Sequence, residues 1–463
     1  MLGSNVKLGA ISACAIMLLG AGCCWAQPAI SLLPKNGPPT TKIAVSGSGF
    51  APDTAVDIYF GATAEAAATT DGNGNFSNIV IRALASAAPG THPVTAVAQP
   101  AGGASARAAF LVQTNWSQEG FLPSHGSFNP YENVLNAETV GGAVLRWTYS
   151  TGSFVESSPA VVNGVAYIGS EDGNLYALNA SNGALLWGYH TGGYVWSTPA
   201  VANGVVYTGS YDHNLYAMNS ATGAKVWSYS TGGAVHGSAA VANGVVYVGS
   251  GDKNLYALNA STGALLWSYA TGGYVESSPA VANGVVYVGS GDKKVYALNV
   301  STGALLWSYA TGSVVLSSPA VANGVVYIGS DDNNVYALNA STGALLWRYA
   351  TSGYVDSSPA VANGVVYVGS DDNNVYALNA STGAKLWSFA TGTYVDSSPA
   401  VANGVVYIGS EDHNVYALNA STGAKLWSYT VGEYVDSSPA VANGVVYVGS
   451  WDKNLYAFSL PGN

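Results

Sequence analysis

Short apolar runs alternate with small and polar residues in a pattern that repeats every 40 positions. Each unit contains four β-type runs, typified by Ser-Pro-Ala-Val-Ala, Val-Val-Tyr-Val, Leu-Tyr-Ala-Leu and Leu-Leu-Trp-Ser-Tyr. Asn-Gly, which accepts the positive φ angles of a tight hairpin, separates the first two runs. Asn-Ala-Ser-Thr-Gly separates the last two runs. Four antiparallel strands in each repeat of about 40 residues predict the blades of a β-propeller.

The number of runs predicts how the ring closes. The first three strand types each occur eight times, and the last unit stops before its own Trp strand. A lone Trp strand, 144–149, precedes the first complete unit. We therefore expect an all-β, eight-bladed propeller closed by this N-terminal outer strand, which removes exposed sheet edges. The repeated tryptophans are Trp147, Trp187, Trp227, Trp267, Trp307, Trp347, Trp387 and Trp427.

The segment from Ala177 to Trp187 resembles the tryptophan-docking motif of pyrroloquinoline-quinone (PQQ) repeats, Ala-x-Asp-x-x-Thr-Gly-x-x-x-Trp. Asn179 replaces the Asp and Asn182 replaces the Thr, which most later copies restore, as at Thr262. The resemblance covers residues 143–463 and implies that each Trp lies on an outer strand and packs between adjacent blades. The WD40 pattern fits less well, because Trp-Asp occurs once and is not repeated.

Residues 1–26 are typical of a secretory signal: Lys7 precedes an apolar run, and small residues follow before Gln27. A general signal peptidase would cleave after Ala26; alternatively, Gly20-Ala21-Gly22-Cys23 resembles a lipobox whose Leu is replaced by Gly. The three Cys residues all lie in this segment. We expect an exported protein, periplasmic, secreted or at the cell surface, with lipid anchoring at Cys23 as the second route.

Residues 27–113 lack the 40-residue period, and short alternating runs predict a β-sandwich of about seven strands. Gly-x-Gly-Phe-x-Pro, which ends at Pro52, and the turn from Asp71 to Phe76 resemble bacterial Ig-like modules of the IPT/TIG type, which implies a spacer or docking role. Residues 114–142 form an irregular connector, and residues 143–463 form the propeller.

Charge and composition narrow the class of partner. Only 8% of the residues are charged and the net charge is −11, without a basic stripe, which argues against nucleic-acid binding. The 57 Gly residues suit a fold with many tight turns. No segment after the N-terminus approaches the ~20 apolar residues of a membrane span. We expect a monomer whose partner is an envelope or extracellular protein, or a glycan.

Candidate binding residues are the positions at which nearly identical units differ, and both sets of such positions fall on one face of the disc. The first set lies two residues before the Ser-Pro pair, or its equivalent, in each unit. It predicts an acidic funnel, and Trp196, His236 and Leu316 break the symmetry of that funnel. Its members are Glu156, Trp196, His236, Glu276, Leu316, Asp356, Asp396 and Asp436. The set between the second and third strands includes Glu171, Tyr211, Asp331, Asp371, Glu411 and Trp451. Drift of exposed turn positions after duplication is the alternative interpretation.

The resemblance also raises cofactor chemistry, because its family includes quinoprotein dehydrogenases that hold PQQ and Ca²⁺. Those sites rely on long loops, a catalytic Asp and often a vicinal disulfide, whereas every unit here has 40 residues without an insertion. The six His residues show no zinc-ligand spacing. We therefore predict no catalytic residues, no metal site and no cofactor.

Three functions are compatible with the sequence. The first is a non-catalytic binding or scaffold propeller, as in the family's lipoprotein of the outer-membrane β-barrel assembly machinery. The second is a PQQ-dependent dehydrogenase. The third is a carbohydrate-binding propeller, whose sugars would stack on tyrosines that recur at the funnel mouth: Tyr194, Tyr274, Tyr354, Tyr394 and Tyr434.

Overall fold

The computed structural model describes residues 27–100 and 102–462, which form two compact units. One unit comprises the described residues up to Lys35, Lys42–Arg82 and His92–Phe110, and the other comprises Asn36–Thr41, Ala83–Thr91 and the chain from Leu111 onwards. The predicted signal at 1–26, with its three Cys residues, lies outside the described residues. No helix in the described part is long and apolar enough to cross a membrane.

The N-terminal part contains eight strands in two sheets. A three-stranded sheet has the order Ala29–Leu33, Lys42–Ser48, Phe76–Arg82, and a five-stranded sheet has the order Asn36–Gly37, Ser105–Val112, Gly90–Ala98, Ala55–Phe60, Thr63–Thr69. Buried and exposed positions alternate along Ala55–Phe60, as expected of a strand with one face on a core. The Ig-like assignment and its domain boundaries stay predictions.

The repeats form eight blades of four antiparallel strands, and the sheet of blade 7 takes up a fifth strand from the connector, which confirms the β-propeller prediction. The first strands are Ala160–Val162, Ala200–Ala202, Ala240–Ala242, Ala280–Ala282, Ala320–Ala322, Ala360–Ala362, Ala400–Ala402 and Ala440–Ala442. The second strands are Val165–Gly169, Val205–Gly209, Val245–Gly249, Val285–Ser290, Val325–Ser330, Val365–Ser370, Val405–Gly409 and Val445–Gly449. Consecutive first strands contact one another, and the last contacts the first, so they surround the central channel.

The remaining strands complete each blade outwards. The third strands are Asn174–Asn179, Asn214–Asn219, Asn254–Asn259, Lys294–Asn299, Asn334–Asn339, Asn374–Asn379, Asn414–Asn419 and Asn454–Ser459. The fourth strands of blades 1 to 7 are Leu185–His190, Lys225–Ser230, Leu265–Ala270, Leu305–Ala310, Leu345–Ala350, Lys385–Ala390 and Lys425–Thr430. Blade 8 takes its fourth strand, Val144–Ser150, from the front of the repeat region, where it pairs with Asn454–Ser459 as predicted.

Tryptophans join neighbouring blades, as the resemblance implied. The indole N–H of Trp227 donates to the carbonyl oxygen of Ala260 in the next blade at 2.9 Å, and its ring lies against Gly263. Gly263 has φ +73°, and a Cβ there would approach the indole to 2.7 Å. The other docking tryptophans make the same kind of bond to the next blade. Each blade is therefore fixed to its neighbour by a tryptophan bond, which recurs with the sequence period in all blades but the seventh.

The connector adds a short strand, Phe128–Asn129, and a 3₁₀ turn, Val140–Gly142. The strand runs parallel to Ala400–Ala402 of blade 7 and pairs with Val401 and Ala402. The connector is thus less irregular than its sequence indicates.

Candidate functional site

The two variable sets meet in pairs around the mouth of the channel. The antiparallel blade places the turn between strands 2 and 3 and the loop before strand 1 on the same face. The backbone bond from Val195 N to Ser170 O holds one blade's turn against the next blade's loop. As a result Trp196 Nε1 donates to Glu171 Oε1 at 2.9 Å, although 25 residues separate them. The sequence predicted the shared face but not this pairing.

Carboxyl groups from blades 5 to 8 crowd one side of this funnel. Asp356 lies beside Asp331, and burial together with this neighbour raises its pKa to about 9. Asp371 lies beside Asp396, and burial together with that contact raises the pKa of Asp371 to about 8. One side-chain oxygen of each of these four residues is buried without a hydrogen-bond partner among the described residues.

The acidic side continues through Glu411 and Asp436 to Glu156 of the first blade. Burial, with Glu411 and Glu156 nearby, raises the pKa of Asp436 to about 7. Burial and the carboxylate of Glu171 raise the pKa of Glu156 to about 7. Burial raises the pKa of Asp396 to about 6 and also raises the pKa of Glu411. Burial and neighbouring carboxylates therefore disfavour the ionised forms of the carboxyl groups along this wall.

Aromatic side chains of blades 2 and 3 form the other side. The ring centroid of Trp196 lies 4.6 Å from that of Tyr211 and 4.8 Å from that of His236, with the imidazole perpendicular to the indole. Burial lowers the pKa of His236 to about 4, although the carboxylate of Glu119 acts in the opposite direction. His236 is thus a neutral, packed side chain at pH 7. A second stack joins Phe154 and Trp451 at 5.1 Å, next to Asp436 of the acidic side.

Of the predicted site residues, Asp356, Asp371 and others cluster on blades 5 to 8, whereas Trp196 and Tyr211 pack together on blade 2 with Glu171 beside them. Glu276 lies near Tyr211, and burial raises the pKa of both side chains, with Glu276 adding to the effect on Tyr211. Leu316 is half-buried. Tyr194, Tyr274, Tyr354 and Tyr394 are exposed at the mouth by 37–52%. Tyr434 instead packs against Trp451 and His413.

The connector crosses the other end of the channel and bonds to every blade in turn. Trp116 pairs with Val161 of blade 1. The next six blades donate first-strand N–H groups to it, and Asn129 donates to Val441 O of blade 8 at 2.9 Å. These donors are Val201, Val241, Val281, Val321, Val361 and Val401. The connector therefore covers the inner edges of the first strands and gives the funnel a floor.

Glu119 and His125 of the connector form that floor, and sequence reasoning gave neither a role. They line a cavity of about 10 Å³ with serine side chains such as Ser158 and Ser438. His125 is buried, and neither ring nitrogen has a hydrogen-bond partner among the described residues. The cavity has about the size that one water molecule needs. Because both residues belong to a segment without repeats, the comparison of units could not reveal them.

One aspartate recurs next to the variable turn and is structural. Asp252 accepts hydrogen bonds from Gly232 N at 2.6 Å and from Tyr256 Oη at 2.7 Å, and Asn254 adds further bonds. Burial raises the pKa of Asp252, but these bonds outweigh burial and lower it below the ordinary value. The pKa of Asp252 is thus shifted in the opposite direction to the pKa values of the funnel carboxyls. This difference distinguishes framework aspartates from candidate binding aspartates.

Comparison with known proteins supports the same architecture. A family of PQQ-like repeats, described as outer membrane protein assembly factor BamB, matches residues 94–236, 231–318, 311–395 and 375–462. No curated protein matches the chain.

Solved structures share the fold at low sequence identity. BamB from Moraxella catarrhalis is 20% identical, with a TM-score of 0.61 over 68% of this chain and 99% of that one. A europium-containing methanol dehydrogenase is 15% identical, with a TM-score of 0.66 over 75% of this chain and 98% of that one. Quinohemoprotein alcohol dehydrogenase from Comamonas testosteroni is 17% identical, with a TM-score of 0.67 over 76% and 81%.

Proposed function

Because this chain belongs to the PQQ-like repeat family described as outer membrane protein assembly factor BamB, we propose that it is an exported, non-catalytic binding propeller. Its variable face would present the funnel to a protein or a small ligand. The observation that carries this proposal is the contrast between the faces: turns on one face hardly vary, whereas the paired positions at the funnel differ from blade to blade. A rigid scaffold with individualised loops on one face suits selective binding.

The chemistry of the funnel indicates what would bind there. Asp356, Asp371 and Asp436 have raised pKa values because burial and like charges disfavour their ionised forms. A ligand that supplies hydrogen-bond donors or positive charge would relieve both costs. Trp196 and Tyr211 on the opposite wall offer flat apolar surface to the same ligand. We therefore favour a partner that inserts a basic or amide-rich segment.

A quinoprotein dehydrogenase is the weaker proposal, since the residues of the funnel do not fit its cofactors. PQQ carries several carboxylates, and the side chains of Asp356, Asp396 and Asp436 offer them no positive charge. Among residues 27–100 and 102–462, no group of three or more His, Cys, Asp or Glu side chains is arranged to hold a metal ion. Turnover of an alcohol with added PQQ, Ca²⁺ and a dye acceptor would establish this alternative.

A carbohydrate ligand is favoured by one specific observation. Tyr194, Tyr354 and Tyr394 are 47–52% exposed at the mouth, where their rings could stack on sugars. A glycan array tests this second candidate directly. If Tyr354→Ala abolished binding to the array and Asp356→Ala preserved it, the result would favour a carbohydrate ligand over a protein partner.

Affinity capture from envelope extracts tests the main proposal. The bait is the chain from Gln27 onwards, compared with the triple variant Asp356→Ala, Asp396→Ala, Asp436→Ala. The matched control is Ser261→Ala, Ser341→Ala, Ser381→Ala, three exposed positions on the uniform face. A specific partner should be retained by the control and lost by the acidic-wall variant. Equal recovery on all three baits would contradict a binding role for the funnel.

A further inference from the structure

An open groove lies between blades 3 and 4 on the uniform face, away from the funnel. It has a volume of about 690 Å³ and is lined by apolar side chains that include Val241, Val245, Val281 and Val300. Leu122 of the connector stands at its rim, with 52% of its surface exposed. The volume falls in the range of ~300–1,000 Å³ that is usual for ligand pockets.

The equivalent groove, three repeats further round the ring, is filled by the chain itself. There Phe128 packs against the apolar cluster between blades 6 and 7, which includes Ala362 and Val401. The backbone of Phe128–Asn129 pairs in parallel with Val401 and Ala402. Ala362 is only 3% exposed in this filled groove.

The corresponding residues of the open groove are less covered. Ala242 occupies the position of Ala362, and Val281 that of Val401; both are half-buried, whereas Val401 is 1% exposed. The connector passes the open groove with Pro123, whose carbonyl accepts from Val281 N, just as Ser127 accepts from Val401 N. The next residue is Ser124 instead of Phe128, so no large side chain enters the groove.

The groove between blades 3 and 4 also differs in sequence from the equivalent positions of other blades. The residue after the Asn at the end of the third strand is Ala in blades 1, 3, 5, 6 and 7, but it is Val300 in blade 4. The other departure, Ser220 in blade 2, lines a second open groove of about 540 Å³ between blades 1 and 2. Val300 and Ser220 therefore both line open grooves on the otherwise uniform face.

We propose that the groove between blades 3 and 4 docks an extended segment of a partner protein through one inserted aromatic side chain. The chain's own Ser127–Asn129 segment shows the geometry: a strand along the inner edge with Phe128 half-buried against the apolar cluster between two blades. Val300 widens the apolar wall that receives the ring. The site is separate from the funnel, so the two surfaces bind different parts of a partner or two different partners.

A synthetic peptide of residues 124–132, labelled with a fluorophore, is the probe. We expect saturable binding to the intact protein by fluorescence polarisation, weakened about tenfold or more when the peptide's Phe is replaced by Ala. Val300→Glu and Leu122→Asp, both at partly exposed positions of the groove, should each weaken binding about tenfold or more. Asp356→Asn in the funnel should leave peptide affinity unchanged.

Unfolding midpoints equal to that of the wild type would show that the groove variants are folded. Equal affinity for the Phe and Ala peptides overturns the proposal, as does binding that neither groove variant changes, because the peptide would then occupy another surface. Absence of saturation at ~1 mM peptide also overturns it, because burial of one ring and pairing of a short strand should give a dissociation constant below ~1 mM.

Discussion

The indole N–H of Trp427 donates to the carbonyl oxygen of Ala143 at 3.0 Å, across 284 positions of sequence. Seven other tryptophans bond to a residue 33 positions later, for example Trp307 to Ala340. Trp427 departs from this rule because Ser459-Leu460-Pro461 replaces the Asn-Ala-Ser turn after the third strand of blade 8. Its ring rests on Phe458 at 5.1 Å instead. The ring of blades thus has one seam that differs from all other interfaces.

The seam leaves one hydroxyl without a partner, which leads to a first prediction. Tyr287 donates its hydroxyl to Ala340 O at 3.0 Å, whereas the hydroxyl of fully buried Tyr407 has no partner among the described residues. Tyr287→Phe should lower the free energy of unfolding by about 1 kcal/mol. Tyr407→Phe should leave it unchanged or raise it, since it removes a buried polar group that makes no bond. Guanidinium unfolding of both variants measures the difference, and equal losses would contradict it.

A second prediction separates packing from backbone strain at two glycines of one blade. Gly263 and Gly244 have similar φ angles, +73° and +79°, but an added Cβ meets the Trp227 ring at 2.7 Å only at Gly263. Gly244→Ala should cost about 1–2 kcal/mol through the left-handed conformation alone. Gly263→Ala should cost a further ~1–3 kcal/mol, because the indole must move. Thermal unfolding of the pair tests this, and similar midpoints would show that the indole shifts freely.

Sequence periodicity accounts for most of the propeller. The strands, their order and the closing strand at Val144 follow from counting runs, because a blade cannot bury its faces without neighbours. Each Trp position was also predictable, since the motif couples it to a turn glycine such as Gly263. These features depend on local pattern and on pairing between adjacent units, which repeat with the sequence.

The candidate site was predictable only in outline. Comparing units identified Asp356 and Trp196 as variable, but it could not show that Asp356 meets Asp331 or that Trp196 bonds to Glu171. Those contacts depend on the rotation between blades. The floor at His125 depends on backbone bonds from a segment that never repeats, so neither period nor residue type indicates it.

A third prediction follows from the raised pKa of about 9 at Asp356. As the pH rises from about 4 to about 9, the unfolded chain loses this proton while the folded chain keeps it, so stability falls through that window. Asp371 and Asp436, with pKa values of about 8 and 7, act in the same direction. We expect the unfolding midpoint to fall between pH 5 and pH 9, and Asp356→Asn to reduce that fall.

The framework aspartates supply the matched control for this titration. Bonds from Gly232 and Tyr256 lower the pKa of Asp252, so its stabilising effect is complete above the ordinary Asp value of 3.8 and is lost as the pH falls below it. Asp252→Asn should therefore lower stability at pH 7 and at pH 9 alike. If Asp356→Asn also lowered stability at both pH values, Asp356 would be a framework residue. Its ionised form would then not destabilise the folded protein.

The final prediction concerns His236, whose pKa of about 4 reflects burial against Trp196 and Tyr211. Its imidazole should stay neutral from pH 5 to pH 8 and should titrate only in acid, as followed by NMR of the ring protons. Trp196→Ala would admit water, so the pKa should rise towards the ordinary 6.5. Glu119→Gln should have the opposite effect, since the carboxylate favours the charged imidazole. A pKa near 6.5 in the unmodified protein would mean that the aromatic wall is open to solvent, and Trp196 would then lack the fixed position that selective binding requires.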